Sequence, residues 1–494
     1  MGQYVLVLYQ GTIESKATLV DDKGKVIDQT ECPLKPIHLK TGWVEYSPED
    51  ILKGQLNAIR AMFRKVGPKK KKQISAIGIA NQPSTILIWD KSTGRPLYNA
   101  ISHQDPRGID ICVEKTVHRE TIHERTGLPL SPYYSASKIK WIIENVKAAR
   151  KSLEKGNLLC GTVNTYLMWH LTKGAVYATD HSNAAQTLLF NILTKTWDKE
   201  ILELFAIPHE ILPPVFPTSY YFGDAVIDGQ TLPIHAGIVG YQASLAGTGC
   251  FEEGEVNINY GTDGSILINT GKKIFMLPGL LTTVAWSTNG STTYILEGIL
   301  NAAGSIFEWM KDSLGLISAR DNLDEICSRS KGRLFMVPAI AGIGSPYWND
   351  QMTTCLFGLR PGTKREDLIR AAVESIAFLV KDNFNVVEKD GRIPIKKIIA
   401  SGPISDVAYL LQFQSDLLHM PVYKTREGDP ASTGVAFLAG LSLKMWPGLS
   451  SLERFTNINK QAIVPKLSET EVKALYERWR LTCLYSKEWS KNFS

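Results

Sequence analysis

The sequence predicts a two-lobed α/β protein, and three observations support this prediction. The chain has 494 residues, too many for one hydrophobic core and enough for two domains of roughly 200–250 residues. Its 44% hydrophobic and 21% charged residues are ordinary for a globular protein. An order of three strands, a helix and a strand opens the chain and begins again near residue 257. We therefore predict one lobe over residues 1–248 and a second over residues 249–494.

The first copy begins with the apolar run Tyr4–Leu8, which is typical of a buried strand. Two further strands are predicted at Ala17–Val20 and from Val26, joined by turns into an antiparallel meander. Ser47, followed by proline and two acidic residues, predicts the start of a helix whose apolar residues recur at helical spacing. The strand Ile74–Ile79 completes the copy.

The second copy repeats this order after residue 256. We predict strands at Val256–Tyr260 and Ser265–Asn269 and a further strand after the turn Thr270-Gly271. Helices follow at 299–314 and 365–388, then a strand at Ile395–Ala400 and a helix from Asp406. This duplication is typical of ribonuclease H-like lobes that face a central cleft, the architecture shared by actin and hexokinase.

Each copy places a Gly-Thr pair at the turn between its first two strands, at Gly11-Thr12 and Gly261-Thr262. Glycine lets the backbone approach a ligand closely, and successive N–H groups in a tight turn can bind an anion. Two such turns facing one cleft would suit a polyphosphate, although each is also an ordinary hairpin turn. The chain has no P-loop motif and no G-x-G-x-x-G motif, which argues against those two nucleotide-binding folds.

Charge and cysteine usage exclude several classes of protein. The net charge of +6 is spread along the chain, and we interpret the single run Lys69–Lys72 as a solvated loop instead of a nucleic-acid site. No segment has about 18 consecutive apolar residues, so no membrane span is predicted. Seven scattered cysteines without a C-x-x-C pair predict reduced thiols in the cytoplasm and no metal site.

Many segments of the chain resemble the glycerol kinases of the FGGY carbohydrate kinase family. The resembling stretches include YQGTIESKA, TGWVEYSPEDI, GLPLSPYYSASKIKWIIENV, TDHSNAAQTLLFNI, YGTDGSILINTG and LLQFQSDLL. They extend over almost the whole sequence. The resemblance implies transfer of phosphate from Mg-ATP to a hydroxyl of a small polyol or sugar, and it implies a homo-oligomer.

Two catalytic positions of that family hold tyrosines in this sequence. The family motif D-Q-G-T-T-S-S-R, whose Asp helps to organise the metal, corresponds to the stretch that begins at Tyr9. The Asp of G-D-Q-Q-A-A-L, the family's general base, corresponds to Tyr241. A phenol titrates near pH ~10 and accepts no proton usefully at neutral pH.

The resemblance also implies two sets of binding residues. The positions that would contact the nucleotide are Gly11, Thr12, Ile13, Glu14, Lys16, Gly261, Thr262, Gly304, Glu308, Gly402 and Asp406. Those that would contact the polyol are Pro83, Ser84, His103, Tyr133 and Gln242. Pro83 and Ser84 replace the Arg and Glu with which the family holds glycerol hydroxyl groups.

These departures lead to three hypotheses. The first is a glycerol kinase homologue that has lost, or strongly reduced, phosphotransferase activity and acts by binding. The second is an active Mg-ATP-dependent kinase of glycerol or another polyol or sugar, with Asp105, Asp263 or Glu14 as a substitute carboxylate. The third is a structural or interaction protein with a vestigial cleft.

Overall fold

The computed structural model describes residues 3–491 except residues 262, 289, 319, 341, 392 and 427. The chain forms two compact units, each discontinuous in sequence. The first comprises Met1–Phe251, Thr282–Tyr294 and Gly428–Thr456, and the second comprises Glu252–Leu281, Ile295–Glu427 and Asn457–Ser494. Residues 282–294 and 428–456 follow the predicted boundary at 248/249 and yet belong to the first unit.

The strands that the described residues form are, in chain order, β1 Tyr4–Gln10, β2 Glu14–Asp21, β3 Val26–Pro33, β4 Glu45–Tyr46, β5 Ile74–Asn81, β6 Ile86–Asp90, β7 Ala100–Ile101, β8 Leu158–Thr162, β9 Thr179–Asp180, β10 Phe190–Asn191, β11 Thr196–Trp197, β12 Val215–Phe216, β13 Ser219–Ile227, β14 Gln230–Val239, β15 Glu255–Tyr260, β16 Gly264–Gly271, β17 Leu281–Thr288, β18 Ser291–Leu300, β19 Phe335–Val337, β20 Cys355–Phe357, β21 Lys397–Ser401 and β22 Val422–Lys424.

The α-helices over the same residues are α1 Pro48–Lys71, α2 Ile109–Glu114, α3 Arg119–Thr126, α4 Ser135–Asn145, α5 Lys147–Glu154, α6 Val163–Leu171, α7 His181–Ala185, α8 Lys199–Leu204, α9 Gly240–Gly247, α10 Ser305–Asp312, α11 Leu323–Arg329, α12 Arg365–Val386, α13 Ala408–Leu418, α14 Pro430–Ser442 and α15 Glu469–Lys491.

The first unit is built on a six-stranded sheet with the order β13-β14-β5-β1-β2-β3. Strands β1, β2 and β3 are antiparallel neighbours, which confirms the predicted meander. Strands β1, β5 and β14 are parallel, and their last residues Gln10, Asn81 and Val239 are in register. Ligands of α/β proteins bind outside the carboxyl ends of parallel strands, so this edge is the natural position for a site.

Burial and capping explain why these elements form where the sequence predicts them. The apolar side chains of β1 from Val5 to Leu8 are fully buried, as expected of a central strand. Helix α1 packs its apolar side against the same core through residues such as Ile59 and Met62. The Ser47 hydroxyl accepts a hydrogen bond from the Asp50 N–H at 3.1 Å, which confirms the predicted N-cap.

The second unit contains four consecutive strands in the order β16-β15-β21-β22. Strand β15 is antiparallel to β16 and parallel to β21, the same relation that β1 has to β2 and β5. The repeated pattern confirms the predicted duplication and the mixed α/β fold class. The core of this unit includes helices α12 and α13, with Phe378 stacked on Trp479 of α15 at 5.0 Å between ring centroids.

Two predicted helices of the second copy were placed wrongly. The helix predicted over 299–314 begins only at Ser305, because Ile299 and Leu300 continue strand β18. A short apolar run has no period that separates a buried strand from a helix, and this ambiguity caused the error. The helix predicted from Asp406 begins at Ala408, because Pro403–Asp406 forms a separate 3-10 turn.

The sequence predicted that the basic run after Pro68 is a loop, and this prediction is wrong. Gly67 has φ of 73° and interrupts α1, and the chain then resumes a final helical turn that includes Lys69, Lys70 and Lys71. Lysines in the last turn of a helix interact favourably with its dipole. The positive charges of these lysines therefore stabilise the C-terminal end of α1.

Two further features of the described residues concern their helices and their cysteines. None of their helices is long and apolar enough to cross a membrane. The seven cysteines all carry free thiols.

We predict that a buried carboxyl makes the stability of the second unit depend on pH. Asp382 accepts hydrogen bonds from Tyr347, Tyr476 and Trp479, and burial raises its pKa to about 6 despite these donors. The folded protein therefore binds this proton more tightly than the unfolded chain. Stability should fall by up to about 1.4 kcal/mol per pH unit as the pH rises from 4 to 6.

The measurement is chemical unfolding across that pH range for the wild type, Asp382→Asn and the exposed control Asp390→Asn. The first variant should lose this pH dependence and the control should keep it. An unchanged slope in Asp382→Asn would contradict the prediction.

Candidate functional site

The turn between β1 and β2, here called the first hairpin (Gln10–Ser15), is held together from within. The Gly11 N–H donates to the Glu14 carbonyl at 2.9 Å. The buried Gln10 side chain donates to the carbonyls of Gly11 and Glu14, both at 3.1 Å, and accepts from the Ser15 hydroxyl at 2.7 Å. Thr12 is half-buried, and the Ile13 side chain is 69% exposed at the end of the turn. The turn is therefore rigid, but its most exposed side chain is apolar.

Tyr9 directly precedes this hairpin and packs on the start of α9. A Cβ added to Gly240 would lie 2.9 Å from Tyr9 Cε2 and 3.1 Å from the phenol oxygen, so only glycine allows this approach. Burial raises the pKa of the Tyr9 phenol above its ordinary value, and the charge of Asp429 adds to this effect. The phenol is therefore neutral at physiological pH and can act neither as a base nor as an anionic metal ligand.

Lys16 lies between two acidic side chains at the same hairpin. Its Nζ is 3.3 Å from a carboxylate oxygen of Glu14 and 3.4 Å from one of Asp429, and it lies 5.4 Å from the centre of the Tyr9 ring. Burial would lower the pKa of the ammonium, but Asp429 and Glu14 together raise it above its ordinary value. The positive charge of Lys16 is thus balanced by two acidic side chains of the chain itself, Glu14 and Asp429.

Asp429 is a residue that the sequence analysis missed, although it is central to this cluster. It caps α14: one carboxylate oxygen accepts from the Ser432 N–H at 3.0 Å, and the other accepts from the Ser432 hydroxyl at 2.8 Å. The second oxygen also accepts from Lys16. An Asp before a proline is a recognisable helix start, but its distance of 413 residues from Lys16 hides the contact in the sequence.

The residues of the first hairpin do not fit the Mg²⁺ that the family resemblance implies. A neutral phenol stands at the position of the metal-organising carboxylate, and the neighbouring acids already hold an ammonium. Within the part of the chain that the structure describes, no three His, Cys, Asp or Glu side chains lie close enough to hold a metal ion. Mg²⁺ is usually held by one or two carboxylates together with waters and phosphates, and Lys16 occupies the two carboxylates of this cluster.

Helix α9 begins at the same sheet edge and carries two predicted site residues. Tyr241 is its second residue and is half-buried, so the structure places a phenol beside the carboxyl end of β14. Gln242 follows and is fully buried, yet neither its amide oxygen nor its amide nitrogen has a hydrogen-bond partner among the described residues. Buried amides are normally paired, so a polar group from outside the chain is needed to satisfy Gln242.

Gln82, which the sequence analysis did not select, shows the same property. Its backbone N–H donates to the Gln10 carbonyl at 2.8 Å, which fixes it at the edge where β1 and β5 end. Its side chain is 4% exposed, and both of its amide atoms lack a partner among the described residues. Each unpaired buried polar group costs about 1–3 kcal/mol. Only the burial pattern of a folded structure could have separated this glutamine from an ordinary polar residue.

Two of the residues predicted to contact the polyol, His103 and Tyr133, pack against each other and form an aromatic wall. The rings of His103 and Tyr133 meet edge to face with centroids 5.1 Å apart. Burial, with a contribution from Lys138, lowers the pKa of His103 to about 3, so the imidazole is neutral at physiological pH. Pro83 is buried, and the hydroxyl of Ser84 donates to the Gln186 carbonyl at 2.7 Å. The Ser84 hydroxyl therefore donates its hydrogen bond within the chain itself.

Lys138 holds this wall in place and was also missed. It is fully buried, and its ammonium donates to the carbonyls of His103 at 3.2 Å and Tyr133 at 2.7 Å. Burial lowers its pKa to about 7. A lysine within an apolar helical pattern gives a weak signal, because long side chains often extend from such positions to solvent.

Asp105, one of the suggested substitute carboxylates, belongs to a buried ion-pair network. Arg107 lies 2.6 Å from both Asp105 and Glu45, and its guanidinium is stacked 3.7 Å from the centre of the Trp43 ring. Asp105 also accepts from the Val44 N–H at 2.7 Å. A carboxylate with these partners has a structural role, because removing its ion pair would leave buried charge unpaired.

The second unit contains the remaining residues that were predicted to contact the nucleotide. One of them, Thr262, lies outside the described residues. Gly261 and Gly402 are both close to the Asn259 amide oxygen. Gly402 has a φ of 87°, and a Cβ at this position would lie 2.7 Å from the Tyr260 carbonyl oxygen, so both its conformation and its surroundings require glycine. Gly304 is the N-cap of α10, which contains Glu308. Asp406 is exposed and pairs with Lys424 at 2.6 Å. The structure thus brings the two glycines together and directs Asp406 to an ion pair.

Asp263, beside this second hairpin, has a perturbed carboxyl group. Asp263 remains exposed to solvent, but partial desolvation raises its pKa above the ordinary value, and the charge of Glu308 adds to the effect. Perturbed carboxyl groups are enriched at functional sites. Asp263, one of the three suggested substitute acids, therefore has a pKa shifted towards that of a general base.

We predict that Lys138 makes stability rise with pH. Its pKa is about 7 in the folded protein and 10.5 in an exposed lysine, so the unfolded chain binds more protons between these values. Stability should therefore increase by up to about 1.4 kcal/mol per unit between pH 7 and pH 9. Chemical unfolding of the wild type and Lys138→Met over this range measures the effect. The variant should lose the increase, whereas the control Lys140→Met should retain it; equal slopes in all three proteins would refute the assignment.

Comparison with known proteins identifies a family whose two domains both match this chain. Residues 4–240 match the N-terminal domain and residues 256–443 the C-terminal domain of the FGGY family of carbohydrate kinases. Glycerol kinase 2 of Clostridium tetani is 41% identical over 97% of this chain and 99% of its own length. Glycerol kinase 2 of Thermotoga maritima is 39% identical over 99% of this chain and all of its own length.

Solved structures give the same result. The crystal structure of Plasmodium falciparum glycerol kinase with ADP superimposes with a TM-score of 0.92 and 28% identity, over 98% of each chain. The two domain matches together span most of the sequence, and both relatives are aligned over nearly their full length. The chain therefore belongs to the FGGY family of carbohydrate kinases.

Proposed function

We propose that this chain binds a small uncharged polyol or sugar and a nucleotide on a glycerol kinase-type scaffold, and that it transfers phosphate between them slowly or not at all. One observation carries the proposal: Tyr9 and Tyr241 stand where the family resemblance implies a metal-organising acid and a general base. Phosphoryl transfer depends on positioning and on charge stabilisation, and both of these acids serve those tasks. A binding or regulatory role then follows from what the site retains.

What the site retains favours an uncharged, hydroxyl-bearing ligand. Gln82 and Gln242 each offer a buried donor and acceptor that lack partners among the described residues. The wall formed by His103 and Tyr133 carries no charge at neutral pH. Hydroxyl groups donate and accept at once, so they could satisfy both ends of each amide. These four side chains offer no opposite charge to a charged ligand, and the nearby Lys138 ammonium is directed to the carbonyls of His103 and Tyr133.

The substitute acids of the first unit do not supply the lost chemistry. Asp105 is bound to Arg107 and to the Val44 N–H. Glu14 is paired with Lys16 at 3.3 Å and is exposed to solvent for 28% of its side chain. Neither group is therefore free to accept a proton from a ligand hydroxyl.

An active kinase of glycerol or another polyol is the second candidate, and two observations favour it. The relatives that are 41% and 39% identical over nearly their full length carry the name glycerol kinase 2, which supports activity more directly than it supports loss. In addition, the raised pKa of Asp263 would suit a general base. In this candidate Asp263 takes over proton transfer.

Steady-state kinetics with Mg-ATP and glycerol separates the two candidates. Loss of a general base costs roughly 10²–10⁴ in rate, so we expect kcat at least about 10²-fold below that of the Clostridium tetani protein measured in parallel. A kcat within about tenfold of that reference would refute the first candidate. If Asp263→Asn then abolished turnover while the protein stayed folded, the second candidate would be established.

The glutamines provide a test that does not require turnover. Replacement of Gln242 with leucine removes an unpaired buried amide, so the ligand-free protein should become as stable as the wild type or more stable. The rise in melting temperature on addition of glycerol, xylitol or D-xylulose should disappear, because linkage requires binding to the native state.

The exposed Gln104 provides the matched control, and Gln104→Leu should leave both quantities unchanged. If none of the three probes shifts the melting temperature of the wild type, with or without ATP, the proposed binding function fails and the interaction-protein hypothesis gains support. An unchanged shift in Gln242→Leu would remove this residue from the site.

A further inference from the structure

The ammonium of Lys16 occupies a position at the first hairpin that is suited to a cation. Glu14 and Asp429 approach it from two sides at 3.3 and 3.4 Å, and the face of the Tyr9 ring lies 5.4 Å away. Its side chain is only 16% exposed. Two acids and an aromatic face around one partly buried ammonium form a cation site whose occupant is covalently part of the chain.

This occupant conflicts with a metal at the same place. A divalent ion would have to displace Lys16 from both carboxylates, and the released ammonium would then lie beside the ion. A divalent ion and an ammonium at neighbouring positions repel each other strongly, because both are cations and the surroundings are partly buried. Asp429 is also held by Ser432 at the start of α14, so it cannot turn towards a metal without uncapping the helix.

We propose that Lys16 is the resident cation of the first hairpin, held by Glu14 and Asp429 in place of a divalent metal, and that ligand binding by this chain does not depend on Mg²⁺. The proposal concerns the chain's own residues and rests on the proposed function only in its statement about ligands. It also accounts for the tyrosine: a neutral ring beside an ammonium is favourable, whereas an additional carboxylate would call for a second cation.

The direct test is titration with Mn²⁺, followed by electron paramagnetic resonance of the free ion, which needs neither nucleotide nor activity. The wild type should not bind Mn²⁺ at this hairpin. Lys16→Met leaves Glu14 and Asp429 facing each other without a counter-charge and should bind Mn²⁺ at least about tenfold more tightly than the wild type. Lys16→Met combined with Glu14→Gln should lose this gain.

Lys65→Met is the matched control, because Lys65 pairs with a single surface acid, Asp28, at 2.6 Å. It should bind no more Mn²⁺ than the wild type. Circular dichroism and thermal unfolding establish that each variant is folded, and Lys16→Gln provides a second neutral variant if the methionine variant is not. Stoichiometric Mn²⁺ binding by the wild type that Glu14→Gln or Asp429→Asn weakens would overturn the proposal, as would the absence of any gain in both folded Lys16 variants.

A second arm tests the statement about ligands. The dissociation constant of a non-hydrolysable ATP analogue should agree within about twofold in excess Mg²⁺ and in EDTA. A tenfold or larger dependence on Mg²⁺ in the wild type would overturn the proposal. If the analogue does not bind under either condition, the nucleotide part of the proposed function fails, while the Mn²⁺ titration still decides the role of Lys16.

Discussion

The arrangement of the candidate site depends on three parallel strands that end in register. Gln10, Asn81 and Val239 are neighbours at the carboxyl edge of the first sheet, so the residues before and after them are brought together from three distant parts of the chain. Tyr9, Gln82 and Tyr241 all owe their positions to this edge. A shift of β1 by a single residue would turn Tyr9 to the opposite face of the sheet.

Buried polar groups of the first unit divide into two kinds with different consequences. Arg107 and Asp105 satisfy each other within the protein, and such pairs mainly impose a unique arrangement on the surrounding loops. Gln82 and Gln242 are not satisfied by the described part of the chain, and such groups lower its stability. Proteins tolerate that cost where a ligand recovers it, which is why the second kind is the better guide to function.

Sequence reasoning recovered the fold because its signals are local. Each of these signals spans only a few residues: the apolar run of β1, the cap at Ser47 and the repeated hairpin. The structure has all three. The errors at residues 299–304 arose where a short apolar run fits a strand and a helix equally well. Local pattern cannot choose between them, because the packing partners decide.

The site was less predictable, since its important contacts join distant residues. Lys16 and Asp429 are separated by 413 positions, and no spacing rule connects them. The family resemblance identified which positions matter, but it could not show that Ser84 donates to a backbone carbonyl or that Lys138 supports two wall residues. Those facts depend on three-dimensional neighbours and on burial.

The packing of Tyr9 on Gly240 constrains what can replace the tyrosine. The ring fills the space above a residue without a side chain, so a smaller acid at position 9 would leave a void at the root of α9. An exchange to aspartate therefore alters the packing at the root of this helix as well as the charge of the hairpin. The two effects are inseparable at this position, because one side chain provides both.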